Sequence, residues 1–80
     1  MITPEEAEKE ANQSMINYID ATCTNALQNK YEGFGSVIVV LNGATKKACS
    51  DFIPTCNDMG WNVALTIDDA NNWVMEFTAK

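Results

Sequence analysis

The residues best placed by type and spacing to do chemistry are Asn42-Gly43-Ala44-Thr45-Lys46-Lys47. A glycine turn leading from a strand into a helix points backbone N–H groups at an anion, and a following hydroxyl and cations strengthen the site. Gly43, Thr45, Lys46 and Lys47 are therefore candidates for binding a phosphate or a nucleotide. The spacing is not that of G-x-x-x-x-G-K-[ST], the loop that cradles a triphosphate. An ordinary turn with a solvated helix face accounts for the same residues.

Cys23, Cys49 and Cys56 are the next candidates. No C-x-x-C occurs and the chain has no histidine, so a Cys–His or Ser–His nucleophile pair is impossible. Acid–base catalysis would fall to carboxylates, lysine, cysteine or tyrosine. Cys49 and Cys56 are two helical turns apart, which separates their Cα atoms by about 10 Å, too far for a disulfide within one helix. The three thiols are expected to be reduced and buried, and no metal or other cofactor is expected. Asp68 and Asp69 are adjacent in a polar turn, whereas calcium loops need more oxygen ligands at set spacing.

Charge narrows the choice of partner. The formal net charge is −6, and the only cations are Lys9, Lys30, Lys46, Lys47 and Lys80. Affinity for nucleic acid comes mostly from lysine and arginine neutralising phosphates, so an acidic chain without arginine is a poor DNA or RNA binder. Acids instead steer encounter with a basic protein. Glu5, Glu6, Glu8 and Glu10, with Asp68 and Asp69, are the candidate partner-binding residues, and the partner expected for them is a larger basic protein.

Five elements must position these residues. Thr3-Pro4-Glu5-Glu6 is a helix start, with a capping threonine, proline at the first helical position and a capping-box glutamate. No breaker follows until Gly33, so the N-terminal segment 1–33 reads as one long helix ending near Lys30. Its apolar stripe (Met15, Ile16, Ile19, Cys23, Ala26, Leu27) occupies only the second half, which predicts that the polar first half protrudes. Phe34 to Leu41 reads as a strand covered on both faces. From Ala44 an amphipathic helix follows. Pro54 must kink it or mark the start of a shorter helix near Asp51. Trp61 to Ile67 and Trp73 to Thr78 alternate as a hairpin, with Trp73, Met75 and Phe77 inward. The expected fold class is α+β: a single domain, residues 1–80, in the order helix–strand–helix–strand–strand. Its three strands would form a mixed sheet around a right-handed crossover, with both helices on one face. The second face of the first strand would then need the first helix or another copy of the chain, so a homodimer is one expectation.

No apolar run is long enough to cross a bilayer. The opening residues have neither a basic start nor an apolar h-region, so the expected location is the cytoplasm, that of the host cell if the chain is viral.

The element order, with Gly60-Trp61-Asn62-Val63 entering the second strand and Trp73-Val-Met-Glu-Phe77 closing the chain, resembles small phage- and prophage-encoded accessory proteins. The resemblance implies a mobile-element protein, and acidic inhibitors of host or defence machinery, anti-CRISPR proteins among them, are of this kind. It assigns no active residues. The order is also similar to the C-terminal fold of a translation initiation factor without its first strand, a fold that binds RNA through basic residues this chain lacks. The sequence thus favours a non-enzymatic, acidic protein-binding module, a phage or mobile-element inhibitor of a host or defence protein such as a CRISPR effector. The alternatives are a small oligomer that sequesters a nucleotide or signalling molecule at Gly43–Lys47, and a structural protein that associates only with itself.

Overall fold

Thr3 opens the longest element. Its Oγ1 accepts a hydrogen bond from the Glu6 N–H at 3.1 Å, and Pro4 fills the first helical position. Helix α1 then runs Pro4–Lys30 in the computed structural model, which describes residues 1–80. At a rise of 1.5 Å per residue it is about 40 Å long, so it sets the 48 Å length of a molecule only 29 and 18 Å across. Residues 1–11 are exposed throughout. Ile19 and Cys23 are buried, while Met15, Ile16, Ala26 and Leu27 pack partly against the core. The helix therefore joins the body through its second half, and the acidic first half extends past it. Tyr31 ends it in an extended conformation, donating its N–H to the Leu27 carbonyl at 3.2 Å.

Strand β1 is Ser36–Leu41. It starts later than Phe34 because Gly33 and Gly35 both adopt positive φ, +93° and +76°, which is open to glycine and breaks extended pairing. Phe34 between them is 74% exposed. β1 also differs from the expected two-sided burial: Val37, Val39 and Leu41 are buried, whereas Ile38 and Val40 remain 56% and 46% exposed.

Helix α2 is Lys46–Asp58, capped by Thr45, whose Oγ1 accepts from the Ala48 N–H at 3.2 Å. Ala48, Cys49, Phe52 and Cys56 form its buried stripe. Pro54 lies inside this one helix and does not start a shorter one. The carbonyl that its missing N–H leaves free is that of Ser50, an exposed residue that water can serve. Gly60, at φ +97°, turns the chain into β2, Trp61–Ile67, and β3 follows at Trp73–Ala79.

The sheet order is β1-β3-β2, and both pairings are antiparallel. This corrects the mixed sheet expected from the sequence. β1 and β2 run in the same direction, as a crossover through α2 requires, but they are not neighbours. A helix about 10 Å wide spans two strand spacings of about 4.8 Å, and β3 fills the gap. No parallel pair remains.

The register sorts the side chains into two faces. One carries the rows Leu41–Trp73–Ile67, Val39–Met75–Leu65 and Val37–Phe77–Val63, with Met75 and Phe77 fully enclosed beneath the helices. Tyr31 closes one end, edge-on to Trp61 at 5.1 Å, and Trp61 is edge-on to Phe77 at 6.2 Å. The other face carries Val40–Val74–Thr66, Ile38–Glu76–Ala64 and Ser36–Thr78–Asn62. Both helices pack on the first face, so the second is open to solvent. No helix is long and apolar enough to cross a membrane.

Candidate functional site

Glu5, Glu6, Glu8 and Glu10 stand on the exposed first turns of α1. Glu5 and Glu6 fall in the first turn, where unpaired backbone N–H groups favour negative charge. The helix leaves the body at Asn12, whose Nδ2 donates to Asp51 Oδ2 at 3.0 Å. The same oxygen accepts from Lys47 Nζ at 2.8 Å, which is the one ion pair of the chain. Hydrogen bonds from Lys47 and then Asn12 hold the Asp51 carboxyl below the usual range for aspartate. This exposed triad is where the arm is tied to α2.

The arm and the start of α2 enclose an open cleft of about 950 Å³. Glu5, Glu8 and Lys9 line one side, Thr45 and Lys47 the other. The structure thus brings part of the acidic set and part of the Gly43–Lys47 set onto one cleft. That arrangement works against an anion site. The Thr45 hydroxyl caps its own helix, Lys47 is paired with Asp51, and an incoming phosphate would face Glu5 and Glu8. Gly43, at φ +75°, serves the turn, and Lys46 is exposed.

Asp68 and Asp69 follow the last residue of β2, at the end of the strands where Leu41 and Ile67 both pair with Trp73. The Asn42–Thr45 turn leaves β1 at the same end, so the acidic turn and the start of α2 share one end of the molecule. Their roles differ. Asp68 Oδ1 accepts from the N–H groups of Ala70 and Asn72 at 3.0 and 2.9 Å, so this carboxylate builds the turn. Asp69 is exposed.

The three thiols are free and buried. Burial, with smaller repulsion from the other thiols and Asp20, pushes Cys23 up to about 12. Burial and Asp20 push Cys56 to about 11, and burial raises Cys49. The thiolate is the nucleophile and the metal ligand, so these groups are held in their unreactive form. Cys23 and Cys56 line a cavity of about 350 Å³ with Leu27, Phe52, Met59 and Trp61.

Two features were missed in the sequence. The Asn12–Asp51–Lys47 triad joins residues 39 positions apart and has no local signal. Glu76 did have one: alternation in Trp73–Phe77 puts it opposite Met75 and Phe77, on the open face. Comparisons with protein-family models, curated proteins and solved structures gave no match. The molecule is thus defined by its own geometry, as a small α+β domain with a projecting acidic helix.

Proposed function

We propose that this chain is a non-enzymatic protein-binding module that docks on a larger basic protein through the projecting half of α1. The observation that carries this reading is the exposure of residues 1–11, which place Glu5, Glu6, Glu8 and Glu10 beyond a body they do not help to bury. A helix end carrying four of the eleven acids adds little to folding. It does add a directional negative field that raises the rate of encounter with a cationic surface. The likeness to phage accessory proteins extends the proposal to an inhibitor of a host or defence protein, a CRISPR effector being one of that class.

Affinity capture from a bacterial host lysate tests the reading. Wild-type bait should retain a basic protein, with retention falling steeply as salt rises. A bait with Glu5, Glu6, Glu8 and Glu10 all changed to Lys should lose it. Retention of the same protein by both baits, or return of the bait alone, would contradict the proposal.

A further inference from the structure

The open face of the sheet is a second surface, and its centre is charged. β3 is the middle strand, and on this face Glu76 stands opposite Ile38 on β1 and Ala64 on β2, with Val40 and Val74 in the adjoining row. Glu76 is the only ionisable group among the nine side chains of the face, and the remainder are apolar or small and polar. Beside it, the Gly33–Gly35 loop leaves a shallow cavity of about 550 Å³ with Tyr31, Phe34, Glu76 and Thr78 on its walls.

A second copy of the chain is a poor occupant. Stacking two such faces centre to centre would take two Glu76 carboxylates out of water against each other, and like charges in a desolvated contact are costly. A cation replaces the like-charge repulsion with attraction and offsets part of the desolvation cost. Its charge-assisted hydrogen bond to a carboxylate is among the stronger polar contacts, and aromatic rings add to it. We propose that the open face docks a protein surface that sets one lysine or arginine among apolar side chains, with the cation seated against Glu76 beside Phe34. The inference rests on the reading of this chain as a protein-binding module and deepens it. The acidic arm speeds encounter and stays in contact with the bound partner, and the Glu76 face adds a second, desolvated contact.

A partner of this chemistry can be made from the chain itself. A Glu76→Lys copy presents the same apolar face with a cation at its centre. At physiological ionic strength, wild type and Glu76→Lys should each sediment near 8.8 kDa. Their equimolar mixture should associate at least tenfold more tightly than either alone. Amide shifts in labelled wild type should centre on Ile38, Val40, Val74 and Thr78. Glu76 is exposed, so the variant should fold, and Glu76→Arg serves as the probe if it does not. Wild type associating with itself as tightly as the mixture would overturn the inference in favour of a second copy. A mixture no tighter than its components at millimolar concentration would overturn it outright. Repeating the mixture with Glu5, Glu6, Glu8 and Glu10 changed to Lys in the wild-type partner should leave the tenfold difference intact. Failure of the acidic-arm reading would show in the lysate capture and not here.

Discussion

Two threonines cap the two helices with nearly identical bonds, Thr3 to the Glu6 N–H at 3.1 Å and Thr45 to the Ala48 N–H at 3.2 Å. Their surroundings differ. Thr45 starts a helix whose next turn carries Ala48 and Cys49 into the core, whereas Thr3 starts an arm exposed through residue 11. Replacing a capping threonine by alanine costs about 1 kcal/mol of helix stability. For Thr45→Ala that loss is transmitted to the whole fold, because α2 cannot fray without exposing buried side chains. In a domain of 60–100 residues it lowers the melting temperature by about 4–8 °C. For Thr3→Ala the loss is local, since the arm can unwind while the second half of α1 stays packed. The variant should show faster amide exchange over residues 4–11 and no resolvable change in melting temperature. Calorimetry and native-state exchange on both variants give the comparison. Equal drops in melting temperature would mean that the arm is part of the cooperative unit, and the reasoning would fail.

Phe77→Ala removes a fully enclosed ring that meets Trp61 edge-on. Its cost of about 3–5 kcal/mol is a large part of the roughly 4–12 kcal/mol expected for a domain of this size, so the far-UV melting temperature should fall by more than about 10 °C. The raised thiols set an alkaline limit. Above the ordinary thiol value of 9.0 the unfolded chain releases thiol protons that folded Cys23 and Cys56 keep until about 12 and 11. Stability is therefore fully present below pH 9 and lost as pH rises toward 11–12. The urea midpoint should fall over that window, and less steeply when both cysteines are changed to Ala. Asp51→Ala removes the acceptor shared by Asn12 and Lys47. It should extend fast exchange from the arm toward Met15, leaving Ile19 and Cys23 protected.

The parts of the fold that rest on local chemistry were legible in the sequence. Thr3-Pro4-Glu5-Glu6 and Thr45 specify helix starts through side-chain caps, and the stripe from Met15 to Leu27 marks the half of α1 that packs. The hairpin followed from strict alternation in Trp61–Ile67 and Trp73–Phe77. Strand order was not legible, because it depends on the width of α2 and on whether β1 pairs with the β2 or the β3 side of the hairpin, and no residue spacing records either. β1 misled for a related reason. Continuous apolar residues from Val37 to Leu41 describe a strand hidden on both faces, and here Ile38 and Val40 are left over. That residue pattern reports a surface needing a cover without saying whether the cover belongs to the same chain. The acidic arm was readable as an overhang from the absence of apolar partners alone. Its tie to α2 through Asp51 was not, since a hydrogen bond across 39 positions leaves no trace in composition.

Hydrogen exchange on the free chain and on the chain bound to its captured partner tests the docking role of the arm most directly. Amides of residues 4–11 should exchange fast in the free protein and become protected in the complex. Exchange there that is unchanged by binding, with protection confined to other elements, would contradict the account.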